Sequence, residues 1–300
     1  MLRRARPPLS GAPSWGRWWE RLLLPAGVLT VLVAAVASCV TARVGPPGQA
    51  RIATWNMCGV RQWNCEDTGD GPRKVRALEQ LAGSDGVQAF LLQEVCAGDL
   101  ATARAKLGKR WHSTFKTYVY RDAHGRDATV RCAAPGQGAA GIAILSSSPL
   151  SHIASAPTQQ PSAGLRRGIV CATLTAHRLR VCNAHLSLPG SDRAHPGWEL
   201  RDDQLKSLAG AADGHTVFGG DLNSAPPSTE GGSSWIWPRA MYGRYRECDQ
   251  RSASSRAGRA TLAVGHKVDY LFTALPRTDC SVRDTGASDH SALILQVRTG

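Results

Sequence analysis

A short apolar run, Thr216-Val217-Phe218, breaks into Gly219-Gly220-Asp221-Leu222-Asn223, and no other stretch constrains the chain as much. A run of that length suits a buried strand, and two successive glycines let the backbone leave a sheet at angles closed to other residues. Asp221 and Asn223, two positions apart, face the same way on extended chain. A carboxylate able to carry a proton or a cation therefore stands beside an amide able to donate without adding charge. Taken alone, the stretch is equally an Asx turn after a strand.

The same layout recurs along the chain. The strand expected over residues 52–56 closes on Asn56, the one over 87–94 on Glu94, and the one over 178–186 carries His185 at its end. A strand over 267–272 has Asp269 near its start, and Ser288-Asp289-His290-Ser291 precedes a closing strand over 292–297. An Asp beside a His, with another Asp upstream, is the raw material of an oriented imidazole. Further strands are expected over 117–120, 141–145 and 168–175, and helices over 72–81, 99–107 and 198–212. Residues 121–138 read as a basic, glycine-containing loop, 155–164 as an exposed loop, and Arg166-Arg167 as a solvated strand edge that could alternatively touch phosphate. Strands alternating with helices describe an α/β domain, whose strand ends can converge on one crevice.

The first 42 residues differ in kind. Five arginines precede an uncharged apolar run over residues 22–40, the layout of a secretory signal or a membrane anchor. Ala35-Val36-Ala37 suits cleavage, Val36-Ala37-Ser38-Cys39 resembles a lipoprotein box, and the uncut run is nearly long enough to span a bilayer. Residues 43–50 have linker composition, leaving 51–300 as one domain, expected to be monomeric. Export also suits the cysteines. With Cys39 set aside, eight remain and none forms a C-x-x-C pair, which favours disulfides over zinc. Sequence order suggests Cys58 with Cys65, Cys96 with Cys132, Cys171 with Cys182 and Cys248 with Cys280; the third pair lies symmetrically about a turn at Ala176-His177.

Of the formal charge of +13, the leader holds +4, and the remaining +9 suits either attraction of polyanions, cell-wall phosphate or anionic lipid heads, or plain solubility of an exported protein, which composition does not separate. Trp235, Trp237, Tyr242 and Tyr245 interleave with Arg239, Arg244 and Arg246, a mixture that suits stacking on nucleic-acid strands or plain surface packing.

Asn56, Glu94, His185, Asp221, Asn223, Asp269, Asp289 and His290 thus all stand at strand ends or in adjoining turns. Brought together, they supply acids for a hard cation, donors for phosphate oxygens and proton carriers for water. Their settings T-W-N, Q-E, N-A-H-L-S, G-D-L-N, V-D-Y and S-D-H, in this order over residues 51–298, resemble the endonuclease/exonuclease/phosphatase superfamily. That superfamily includes DNase I-like nucleases, sphingomyelinases, inositol-polyphosphate phosphatases and the cytolethal-toxin nuclease subunit. The resemblance implies two packed mixed β-sheets flanked by helices, a DNase I-like four-layer sandwich, and in-line attack of water on phosphorus.

By the same resemblance Glu94 binds Mg²⁺, with Mn²⁺ or Ca²⁺ as alternatives, while Asn56 and Asp289 support the metal. Asp221 and Asn223 orient water and phosphate. His290, paired with Asp269, acts as base or phosphate-stabilising cation, and His185 donates to phosphate or protonates the leaving oxygen. Tyr118, Tyr120 and Arg167 are the candidates for a residue reaching the phosphate from the middle strands. The reaction implied is that of an extracellular or membrane-tethered metal-dependent phosphodiesterase acting on nucleic acid. A phosphatase or pyrophosphatase working on lipid or small-molecule phosphates at the membrane surface is the alternative, and a non-catalytic polyanion-binding protein the third reading.

Overall fold

Alternation along the strands sorts their side chains onto two faces, and it decides the architecture. On the first strand Ile52 points into one apolar cluster while Ala53 and Trp55 point into another. A computed structural model describes residues 48–65, 68–227 and 234–300. The expected leader and most of the expected linker lie outside them. In chain order the elements are β1 (Gln49–Asn56), α1 (Gly71–Gly83), β2 (Ala89–Cys96), α2 (Ala97–Leu107), β3 (His112–Thr117), β4 (Val119–Arg121), β5 (Asp127–Thr129), β6 (Ala140–Ser146) and β7 (Leu150–Ala156). They continue with β8 (Gly164–Arg166), β9 (Gly168–Leu174), β10 (Leu179–His185), α3 (Arg201–Gly210), β11 (Thr216–Asp221), α4 (Arg239–Gly243), β12 (Arg246–Glu247), β13 (Asp269–Thr273), β14 (Arg277–Arg283) and β15 (Ala292–Arg298).

Two six-stranded mixed sheets, ordered β14-β15-β1-β2-β6-β3 and β12-β13-β11-β10-β9-β7, form the body, with a small sheet β5-β4-β8 beside them. Ile52, Leu91, Ile144, Val170, Val181, Val217 and Leu293 fill the space between the large sheets. The outer face of the first sheet is covered by Val75, Leu78 and Leu81 of α1 and Leu100 of α2. The outer face of the second packs on Leu205 and Leu208 of α3 and Met241 and Tyr242 of α4. The result is helix, sheet, sheet and helix in four layers, the expected fold class. Truncating one fully buried aliphatic side chain such as Leu91 would cost about 2–5 kcal/mol.

Local chemistry accounts for the helix starts. The Asp70 carboxylate accepts from the Arg73 N–H at 2.9 Å and Pro72 stands in the first turn, so α1 begins where the proline places it. The third helix starts at Arg201 and not at Trp198, because the Glu199 carboxylate takes the Arg201 N–H at 2.9 Å and leaves Trp198 exposed in the loop. All four suggested cysteine pairs are disulfides, and Cys171 and Cys182 stand directly opposite on β9 and β10.

Several expectations fail in the outer strands. Residues 117–120 are no single strand: β3 ends at Thr117 in the first sheet, β4 begins at Val119 in the small one, and Tyr118 stands between them. The loop expected over 121–138 contains β5, and the edge strands β7 and β14 have no counterpart in the sequence reading. Both are mostly solvated and carry only scattered apolar residues, so they show no buried run to detect. The aromatic residues among the arginines are mainly core. Trp237, Tyr242 and Tyr245 are buried against Phe218 and Phe272, and only Trp235 is exposed. Among the described residues no helix is long and apolar enough to cross a membrane.

Candidate active site

Register brings the chemistry together. Strand β10 runs parallel to β11, and β11 antiparallel to β13, so that His185, Asp221 and Asp269 stand side by side across three strands. Gly219 and Gly220 are required there. A Cβ on either would meet a neighbouring strand's carbonyl oxygen at 1.9 Å, from Tyr270 and Ala184 respectively, and would force the strands apart.

The first sheet delivers its residues to the same end through a buried amide clamp. Gln93 Nε2 donates to Asn183 Oδ1 at 2.6 Å and to Thr54 Oγ1 at 3.0 Å, while Asn183 Nδ2 donates to the carbonyls of Leu92 and Ala143. Both amides are fully buried between the sheets. They explain Q-E and N-A-H as units: Gln93 and Asn183 fix one sheet on the other just before Glu94 and His185 emerge. Sequence reasoning gave neither residue a role, although a polar side chain inside an apolar strand was the available signal.

Glu94 emerges through a bulge. Strand β2 pairs Leu92 with Ala143 and Val95 with Gly141, so Gln93 and Glu94 together face the single residue Ile142. Glu94 takes φ +50°, a left-handed conformation that a non-glycine residue adopts at a cost. Its N–H, turned out of the ladder, donates to the Tyr118 hydroxyl at 3.1 Å. Asn56 holds the side chain in place: Nδ2 donates to Glu94 Oε1 at 3.3 Å and to Asp221 Oδ2 at 3.0 Å, while Oδ1 accepts the Cys58 N–H. The amide is therefore oriented by its own bonds, and it presents a donor to the two carboxylates.

The two histidines have different partners. His290 Nδ1 lies 2.8 Å from Asp269 Oδ2, and its Nε2 lies 4.0 Å from Asp221 Oδ2. Burial alone would depress this imidazole, but Asp269, Asp221 and Asp289 outweigh it and raise the pKa to about 10. His185 Nδ1 lies 2.6 Å from the Tyr118 hydroxyl and Nε2 lies 3.4 Å from Asp221 Oδ2. Burial, together with the cations of Arg167 and His290, drives its pKa well below the ordinary value. Asp221 is shifted upward by burial and by Asp269. Glu94 rises to about 7, again through burial, with Arg167 pulling the other way.

These groups open into a cleft of about 490 Å³, the size of a small-ligand site. Asn56, Glu94, His185, Asp221, Asn223, Asp289 and His290 all line it; Asp269 stands behind His290 and is fully buried. Asn223 is tied by Nδ2 to the Leu186 carbonyl at 2.9 Å and adopts φ +49°. Asp289 is exposed at the mouth. Its loop is fastened to β1 by Ser288, whose hydroxyl donates to the Asn56 carbonyl at 2.8 Å.

The reading of Arg167 as a solvated edge is overturned. It is buried, lines the cleft beside Trp63, and its Nε has no hydrogen-bond partner among the described residues. Tyr120 is not a lining residue; its ring lies under the Arg193 guanidinium. Tyr118 is buried with its hydroxyl engaged by Glu94 and His185, so it supports the site from beneath. The Cys58–Cys65 disulfide closes the loop that carries Trp63 along one wall, and Cys65 Sγ lies 3.7 Å from Glu94 Oε2.

Solved structures share this fold. An endonuclease/exonuclease/phosphatase from Beutenbergia cavernae is 19% identical over 84% of this chain and 72% of its own, with a TM-score of 0.59. An AP endonuclease from Archaeoglobus fulgidus is 15% identical over 82% and 98%, at 0.53, and the human Nocturnin catalytic domain 16% identical over 83% and 93%, also at 0.53. No curated protein matches. The model of the endonuclease/exonuclease/phosphatase family matches residues 53–290, nearly the whole described chain, and the protein belongs to that family of phosphoester hydrolases.

Proposed function

We propose that the protein is an exported, metal-dependent phosphodiesterase whose substrate class is nucleic acid. The observation that carries this reading is the convergence, in one cleft, of a buried carboxylate, a carboxylate-paired imidazole and a buried guanidinium, held by Nη1 on the Leu186 carbonyl at 3.3 Å, whose Nε has no hydrogen-bond partner among the described residues. The basic charge and the half-buried Trp63 beside Arg167 favour a polyanion with flat bases. Residues 1–42 would direct export and the residues from 43 up to β1 would link, with Gln49 and Ala50, expected in the linker, already paired in the first sheet; the disulfides suit an oxidising compartment.

The donor set fits a hard divalent cation such as Mg²⁺. Glu94 is a carboxylate in a low-dielectric site beside Asp221, and a cation there would relieve the burial that pushes its pKa up. Glu94 and Asp289 would hold it, with Asn56 orienting Glu94. When bound, such a cation neutralises charge on a non-bridging phosphate oxygen. Asp221, raised in pKa and facing the cleft, orients the attacking water and draws on its proton. The His290 imidazolium, fixed by Asp269, and the Arg167 guanidinium stabilise the negative oxygens of the in-line transition state. Asn223 and His185 supply hydrogen bonds to the phosphate.

Plasmid nicking with Mg²⁺, run beside phosphate release from nucleotides, inositol phosphates and a prenyl pyrophosphate, tests the proposal. Nicking abolished by chelation is the expected outcome. Leu188, half exposed at the cleft mouth, favours a second reading, a phosphatase or pyrophosphatase at a lipid surface; phosphate release without nicking would select it. Cleavage of no substrate would leave polyanion binding alone.

A further inference from the structure

Tyr118 sits where the chain passes from the first large sheet to the small one, and its main chain is held on both sides. Its N–H donates to the Ala140 carbonyl at 2.9 Å and its carbonyl accepts from Val130 at 3.0 Å. The ring is buried, tilted against Trp63 and edge-on to His185. Its hydroxyl is therefore a fixed point, and it touches two elements of the candidate machinery: the Glu94 N–H at 3.1 Å and His185 Nδ1 at 2.6 Å.

The direction of both bonds follows from donor counting. A backbone N–H only donates, so Tyr118 accepts from Glu94. A phenol has one proton, and since the Glu94 N–H cannot accept it, His185 Nδ1 is the only acceptor that the hydroxyl's contacts offer in this buried setting. Nδ1 must then be an acceptor, which leaves the imidazole's proton on Nε2, the atom that faces Asp221. Resting on the hydrolase reading above, we infer that Tyr118 is a positioning residue that holds His185 as a neutral Nε2–H hydrogen-bond donor, and so removes it from the set of proton-delivering acids. Loss of the Nε2 proton from this form would leave an imidazolate beside the Asp221 carboxylate, which a buried site disfavours. The leaving oxygen is therefore protonated from elsewhere, and His185 serves by binding. The same hydroxyl fills the ladder position that Glu94 vacates at its bulge, so a single group aligns the metal-side carboxylate and the imidazole together. Burial and the nearby Glu94 keep the phenol protonated, in accord with this assignment.

Long-range ¹H–¹⁵N correlation spectra of the ¹⁵N-histidine-labelled protein at neutral pH read the tautomer without reference to activity. The expected result is an unprotonated Nδ1 and a protonated Nε2 at His185, beside a doubly protonated His290. A doubly protonated or Nδ1–H His185 would overturn the inference even if the protein hydrolyses phosphoesters. Tyr118→Phe should mix the His185 tautomers and lower kcat about tenfold, with KM changed less than about twofold. In a His185→Gln background the same substitution should lower kcat much less. An undiminished effect there would show that Tyr118 does not act through His185.

Discussion

The two imidazoles of the cleft approach one carboxylate, Asp221, from opposite partners, and they are not equivalent. His290 leans on Asp269, and three carboxylates hold it charged. His185 leans on a phenol, with cations nearby, and is held neutral. The same residue type, at the end of β10 in one sheet and in the turn before β15 of the other, thus becomes a neutral donor in the first place and a cation in the second. The second partner, not the histidine, sets the role.

That contrast breaks first at the charged half. His290→Ala and Glu94→Ala should each lower turnover at least about a hundredfold while the thermal unfolding profile stays cooperative. His185→Gln keeps a donor and should lose only about tenfold, whereas His290→Gln loses the charge and should behave like the alanine variant. Equal losses from the two glutamine substitutions would erase the distinction between the halves. Removing the disulfide beside Glu94, with Cys58→Ser and Cys65→Ser together, should cost about 2–3 kcal/mol of stability by chain entropy. It should raise KM through the freed Trp63 wall, as steady-state kinetics would show.

The charged half also has a pH signature. The folded pKa of His290, about 10, lies above its ordinary 6.5. Its stabilisation is therefore complete below about pH 6.5 and is lost as pH rises through about 10. The melting temperature of the wild type should fall across that window more steeply than that of His290→Gln. The smallest effect belongs to Trp235→Ala: the only exposed aromatic of its segment should leave KM for nucleic acid within about twofold.

Much of this was legible in the chain. Apolar runs ending in Asn56, Glu94, His185 and Asp221 marked strand ends, and the order of the short motifs led to the fold and its four layers. What escaped had physical reasons. Strands β7 and β14 are solvated edges without a buried run. Arg167 read as an edge residue because neither its burial nor its place beside Trp63 follows from local pattern. Tyr118 was one of three candidates for a phosphate contact; its partners lie 24 and 67 residues away, and only the packed sheets bring them to one hydroxyl. Tyr242 and Tyr245 looked like a stacking surface because basic neighbours hid the apolar face they pack on.

The most direct test of the account is the rate of phosphodiester cleavage by the purified protein and by Glu94→Gln, each with Mg²⁺ and with chelator. The account predicts turnover that chelation abolishes and Mg²⁺ restores in the wild type, and that Mg²⁺ fails to restore in the variant. Cleavage that persists in chelator, or a variant as fast as the wild type, would contradict it.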